Sequence, residues 1–225
     1  MEKRYDFSKF DMTKVDFHTH ILPEIDDGSR TLEESMECIN YAKKCGIETI
    51  IATPHFYGHR KSLDEFIQER EKSYNRLKKE NPELSMILGA EILVFPGLEN
   101  MEEIDKLSFG EEKILLLEMP LSESLIYDDY FLTVEELSKR FKIVMAHANR
   151  YSDRTIIRMV EAGALLQLNI EDICLRGERG RISQWVIEDL VFAIGSDCHR
   201  NPKIYKKYKK AIKIIEKIKK NLLKG

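Results

Sequence analysis

A mostly parallel α/β sheet or barrel is the fold class this sequence predicts, and two observations predict it. Short apolar runs alternate with longer amphipathic segments along the chain, and nearly every apolar run ends in a charged or metal-capable residue. At 225 residues with 43% hydrophobic content, the chain is read as one domain spanning 1–225 around a single core.

In chain order, strands are expected near Lys14 to His18, Thr49 to Thr53, Met86 to Ala90, Ile114 to Glu118, Ile143 to His147, Leu165 to Asn169 and Phe192 to Ser196. Helices fall around Thr31 to Cys45, Leu63 to Lys79, Thr133 to Arg140, Thr155 to Ala162 and Ser183 to Leu190, with a last one from Pro202. Thr31 with Glu34 three residues on has the pattern of a capping box, and Gly46 and Gly163 follow expected helix ends. Phe95 to Gly110 reads as a loop with a short helix. No repeat or low-complexity linker divides the chain.

The first strand opens into His18-Thr19-His20, followed by Asp26-Asp27-Gly28. In an extended chain His18 and His20 project to one side, where two imidazoles can hold one cation, and Gly28 permits a tight turn. The other strands end in His55, Glu91, Glu118, His147-Ala148-Asn149-Arg150, Asn169 and Asp197-Cys198-His199. In a parallel barrel all strand C-termini meet at one face, so these scattered residues converge. His18, His20, Asp27, His55, Glu91, Glu118, His147, Asp197 and His199 make nine candidate ligands. One ion takes about four to six, so nine implies two or three ions. Imidazole and carboxylate without thiolate suits Mn, Fe, Co or Zn.

Adjacent divalent ions polarise a phosphoryl oxygen, generate hydroxide near neutral pH and stabilise a leaving oxygen, which is the chemistry of phosphate-ester hydrolysis. Arg150 and Arg60 stand where a guanidinium can clamp phosphate oxygens, and His59 is a candidate acid for the leaving group. Arg60 serves equally as a surface ion-pair partner, and His59 as a solvated bystander.

These residues, together with Thr53-Pro54-His55, Gly89-Ala90-Glu91 and Arg150-Tyr151, resemble the PHP (polymerase and histidinol phosphatase) superfamily. The run from His18 to Gly28, with Thr31-Leu32-Glu33-Glu34-Ser35, is similar to the bacterial tyrosine phosphatases of capsular and exopolysaccharide synthesis. The resemblance implies a distorted (β/α)7 barrel and a trinuclear, usually manganese-dependent centre. It also implies hydrolysis of phosphotyrosine on a partner tyrosine kinase by attack of a metal-bound hydroxide. The same centre can serve a small phosphate monoester such as histidinol phosphate, and a non-catalytic metal- or phosphate-binding regulator is the third reading. Where the family motif has Glu before the Arg of the fifth strand, this chain has Asn149.

Charge and cysteine usage narrow the partners. From Lys203 to Gly225 there are ten Lys and one Glu, which leaves 26 basic against 38 acidic residues in the preceding chain, a body charge of about −12. An acidic body argues against a nucleic-acid surface. The four cysteines show no C-x-x-C spacing, and no signal peptide or membrane span is apparent, so a reduced, cytoplasmic setting is expected. The final Lys-rich amphipathic helix, about 203–224, carries Ile204, Tyr208, Ile212, Ile215, Ile218 and Leu222 as one apolar stripe. It reads as an outer barrel helix, with contact to anionic membrane as the sharper alternative. Homo-oligomer formation is left open.

Overall fold

The computed structural model describes residues 11–84 and 86–222. Its strands are β1 (Val15–Thr19), β2 (Thr49–Ala52), β3 (His55–Phe56), β4 (Met86–Leu88), β5 (Glu91–Leu93), β6 (Ile114–Glu118), β7 (Lys142–Met145), β8 (Leu165–Asn169) and β9 (Val191–Gly195). Its α-helices are α1 (Leu32–Lys44), α2 (Leu63–Glu80), α3 (Asp128–Ser138), α4 (Asp153–Glu161), α5 (Ile170–Ile173), α6 (Arg179–Ile187) and α7 (Tyr208–Leu222). All the strand pairings are parallel, in the orders β1-β2-β4 and β3-β5-β6-β7-β8-β9.

The two sheets form one distorted barrel. β2 and β4 answer to two of the seven expected strands, and each is followed after a short break by a strand that was not expected: Thr53-Pro54 separates β2 from β3, and Gly89-Ala90 separates β4 from β5. Pro54 has no N–H to offer a ladder, which makes it a natural break. The chain direction carries through, because Gly89 N donates to Ala52 O at 2.8 Å and Glu91 N to Pro54 O at 3.0 Å. Thr19 bridges Cys198 in parallel, and Asp197 N donates to His18 O at 2.8 Å, so the last strand closes on the first.

Side chains sort into two apolar layers. Phe17, Ile51, Ile87, Leu116, Val144 and Ala193 belong to an inner cluster, where Phe17 meets Phe109 at 5.3 Å and Phe192 at 5.5 Å between ring centroids. Leu115, Leu117, Ile143, Met145, Leu166 and Leu168 alternate with it and join the helices in the larger core. Charged and metal-capable groups gather beyond the inner cluster, where the strands end.

Helix ends follow local chemistry. Thr31 accepts from Glu34 N, but Glu34 answers to Arg30 N at 2.8 Å, so the expected box is displaced by one residue. The full reciprocal box is on α2, between Ser62 and Glu65. Gly46 and Gly163 take φ of 99° and 96° where α1 and α4 stop. The third long helix begins at Asp128 rather than Thr133, because Asp128 and Asp129 complement the helix dipole while Thr133 is buried and hydrogen-bonded to Glu99. α4 and α6 likewise begin earlier than expected, at Asp153 and Arg179, and α5 is an additional short turn of helix.

The expected C-terminal helix starts as a 3-10 turn over Pro202–Lys207 and becomes α7 only at Tyr208; Leu223 and Lys224 lie outside the described residues. Three residues per turn shifts the buried stripe to Tyr205, Tyr208 and Ala211, then Ile215, leaving Ile204, Ile212 and Ile218 half-buried. No helix among the described residues is long and apolar enough to cross a membrane.

Arg70 of α2 is buried and spans the second break, donating to Gly89 O at 2.8 Å and Lys106 O at 3.3 Å. Arg70→Met strips those carbonyls of a charged donor and is expected to cost about 1–3 kcal/mol, read as a lower urea midpoint at unchanged slope.

Candidate metal centre

The nine candidate ligands lie together at the mouth of the barrel. Among the described residues three donor groups can each hold an ion: His20, Asp27, His55 and His199; His18, His20 and Glu91; and His55, Glu91 and Glu118. They share His20, His55 and Glu91, as adjoining sites do. His147 Nε2 stands 2.7 Å from Glu91 and 3.4 Å from Glu118, and Asp197 Oδ1 is 3.6–3.7 Å from ring nitrogens of His18, His20 and His199.

Local backbone irregularity aims these side chains. Between Asp16 and Thr19 β1 carries one more residue than β2, since Asp16 pairs with Ile50 and Thr19 with Ala52. Strict alternation would put Phe17 and His18 on opposite sides. The bulge lets Phe17 stay in the inner cluster while His18 turns to the centre beside His20. His147 and Asp197 each adopt left-handed backbone, with φ of 32° and 53°, a costly state for side-chain-bearing residues that bends the chain sharply at the strand ends. Gly28 acts through closeness: a Cβ there would lie 1.9 Å from His20 O.

A second ring of residues orients the ligands: Asp26 and Asn169 were expected at this face but not in that role, and Gln167 was not expected there. Asp26, rather than its neighbour Asp27, is the buried anchor, accepting from His20 Nδ1 at 2.7 Å, Gly28 N at 2.9 Å and His55 N at 3.0 Å. Gln167 Oε1 accepts from His147 N at 2.7 Å and from His18 Nδ1 at 3.0 Å, while its amide donates to Asn169, which in turn donates to Asp197 at 3.0 Å. The signal was available for Gln167 and Asn169, because they alternate with leucines in Leu165-Leu166-Gln167-Leu168-Asn169.

The donor set fits a cation. With Nδ1 of both His18 and His20 engaged, their Nε2 atoms face each other at 3.0 Å, with Glu91 Oε2 3.1–3.2 Å from both. Two lone pairs at that distance need a proton or a metal ion between them. His55 Nδ1 and Glu91 Oε2 are buried 3.0 Å apart without the alignment of a hydrogen bond, an arrangement that suits two donors to one metal ion. Burial opposes protonation of His147, but hydrogen bonds to Glu118 and Glu91 outweigh it and push its pKa up to about 9. His20 is raised in the same way by Asp26 and Glu91 against its burial. Burial works against the charge on Glu91, yet the surrounding histidines, His18 foremost, hold its pKa well below the usual carboxylate range.

The three candidates for handling substrate divide. Arg150 ion-pairs with Asp197 at the centre's edge. Arg60 lies over the Tyr57 ring, 4.9 Å from its centroid, at the rim of a cavity next to His55. His59 is exposed, 6.1 Å from Tyr57 between rings, and does not line that cavity. Asn149 donates to Glu178 at 3.2 Å, so a carboxylate still stands beside this position. Cys198 points away from the ligands toward Cys38, with the sulfurs 3.7 Å apart.

The model of the family "Capsular polysaccharide synthesis, CpsB/CapC" matches residues 14–222. The tyrosine-protein phosphatase YwqE of Bacillus subtilis (strain 168) is 30% identical over 196 residues, covering 82% of this chain and 77% of that protein. The tyrosine-protein phosphatase CpsB of Streptococcus pneumoniae is 25% identical over 205 residues, covering 82% of each. A chain from the crystal structures of YwqE from Bacillus subtilis and CpsB from Streptococcus pneumoniae, described as metal-dependent tyrosine phosphatases, superposes with a TM-score of 0.73 at 27% identity, over 90% of this chain and 86% of that one.

A proton on His147 or His20, which their carboxylate neighbours favour, competes with a metal ion for the same ring, so metal uptake releases protons. Apparent affinity is therefore expected to rise with pH toward 9, by up to about tenfold per unit for each proton displaced. Calorimetry in buffers of different ionisation enthalpy reads the release directly, and uptake without it contradicts the assignment. In the same titration Gln167→Leu, which frees the His18 ring, is expected to weaken binding about 10–100-fold.

Proposed function

The chain belongs to the CpsB/CapC family of capsular polysaccharide synthesis, and from that premise we propose that it is a metal-dependent protein-tyrosine phosphatase, with manganese as the resident ion. The observation that carries the reading is the overlap of three donor groups through His20, His55 and Glu91, all imidazole and carboxylate.

His18, His20, Asp27, His55, Glu91, Glu118, His147, Asp197 and His199 would hold the divalent ions, whose chemistry when bound would be to activate water and offset charge on the phosphoryl oxygens. The chain's own residues do the rest. Arg150, kept at the edge by Asp197, orients a phosphate oxygen with its free guanidinium edge. Arg60 is the second cation on the approach. His59, the candidate acid, is exposed on the turn after β3 and outside the cavity, so no proton delivery is assigned to it. A phenol has a pKa of about 10, far below an alcohol's, so proton delivery contributes less than charge clamping. Asp26 and Gln167 hold the His20 and His18 rings and keep the site from reorganising during turnover.

The phosphotyrosine partner in this proposal is a tyrosine kinase of polysaccharide synthesis. A further contact is proposed for α7, whose Lys209, Lys210, Lys213 and Lys217 line a groove against α6 with no ion pair among the described residues. That face suits anionic lipid.

Protein stripped of metal and reloaded with manganese is expected to hydrolyse a phosphotyrosine peptide. His20→Ala abolishes turnover, and Arg150→Ala lowers kcat/KM by about 10²-fold. Full activity after chelation contradicts the proposal, as does an undiminished Arg150→Ala variant for that residue's role. In liposome sedimentation, binding to anionic vesicles is expected to disappear when the four lysines are changed to Gln.

A further inference from the structure

A cavity of about 380 Å³ opens directly off the metal centre, between the segment that follows β3 and α2. Its inner boundary includes His55 and Asp27, both among the metal-capable donors. Ile25, Phe56, Phe66 and Tyr57 give it an apolar and aromatic side, and Asp26, Arg60 and Lys61 complete the lining. The volume lies at the lower end of the range that encloses small organic groups.

Tyr57 is fixed as one of those walls. Its carbonyl accepts from Arg60 N at 2.8 Å and Lys61 N at 3.2 Å, which closes a turn. Its ring stacks on His55 with 5.0 Å between centroids and 19° between planes, and Arg60 lies against it. Gly58 packs so closely on Phe95 that a Cβ would come within 2.9 Å of that ring, which pins the turn from outside. Tyr57 is half-buried, and its hydroxyl has no hydrogen-bond partner among the described residues. Nothing in the metal centre itself requires an aromatic residue there.

We infer that this cavity is an aryl subsite, in which the ring of a phosphotyrosine is held against Tyr57 while its phosphate lies on the donors around His55 and Asp27. The inference rests on the phosphatase reading and deepens it, because it names the residue that favours an aryl phosphate over an alkyl one. A phosphoserine side chain has a single methylene between backbone and oxygen, too short to fill the apolar walls. A phosphotyrosine ring fills them and gains the contact that aromatic pairs make beyond simple burial.

The test compares phosphotyrosine and phosphoserine peptides of identical flanking sequence on the manganese-loaded full chain. It also measures binding of a non-hydrolysable phosphonomethylphenylalanine peptide by calorimetry. For Tyr57→Ala the ratio of kcat/KM values, phosphotyrosine over phosphoserine, is expected to fall about tenfold, mostly through KM, with a matching loss in phosphonate affinity. Tyr57→Phe restores both and Tyr57→Leu only part, each checked for unchanged metal content and thermal midpoint. A ratio and a phosphonate affinity that do not move in Tyr57→Ala or Tyr57→Leu overturn the inference while leaving the phosphatase reading intact. Wild-type protein that hydrolyses neither peptide removes the phosphatase reading, and the calorimetric arm then decides the subsite on its own.

Discussion

One carboxylate organises this protein. Glu91 lies fully buried with ring nitrogens of His18, His20, His55 and His147 between 2.7 and 3.2 Å from its oxygens. An isolated carboxylate in such a place would cost several kcal/mol to desolvate, and it is tolerated only because positive partners surround it. Those partners come from three different staves of the barrel, so they surround Glu91 only when the barrel is closed. Closure in turn brings Asp197 and His199 from the last strand to the first. The fold and the donor cluster are therefore stable for the same reason.

The breaks in the barrel serve that constraint. An unbroken strand through Thr53-Pro54-His55 would stay in the ladder of β1 and β4, whereas β3 pairs with β5 so that His55 stands directly opposite Glu91. The break at Gly89-Ala90 does the same for Glu91, whose other neighbour is Leu116 of β6. The bulge in β1 adds the third adjustment by turning His18 inward beside His20. Regular strands pack a uniform apolar interior well; a cluster of buried charges needs each side chain aimed individually, and irregular backbone provides that.

How much of this was readable beforehand depended on whether a residue acts by its own chemistry or through a neighbour. His18, His20, His55, His147 and His199 stand where apolar runs stop, and parallel topology alone sends such ends to one face. Asp26 and Gln167 have no ligand role of their own. Their meaning lies in hydrogen bonds to residues 29 and 149 positions away in the chain, His55 and His18, which no local pattern encodes. The bulge was invisible for a similar reason, since a strand's register is a property of two strands. The 3-10 start of the last helix was missed because Pro202 marks a helix beginning without distinguishing three residues per turn from 3.6.

The closing of the last strand on the first also sets an order of events during synthesis. β1 leaves the ribosome early, with β2 as a partner on one edge and nothing on the other until β9 arrives about 180 residues later, when Ser196 N reaches Asp16 at 2.7 Å. Through that interval the nascent chain displays an unpaired strand edge beside an incomplete set of buried charges. Such an edge templates mispairing with other chains. Until β9 is made, that edge stays open to such mispairing, a hazard that the finished barrel no longer shows.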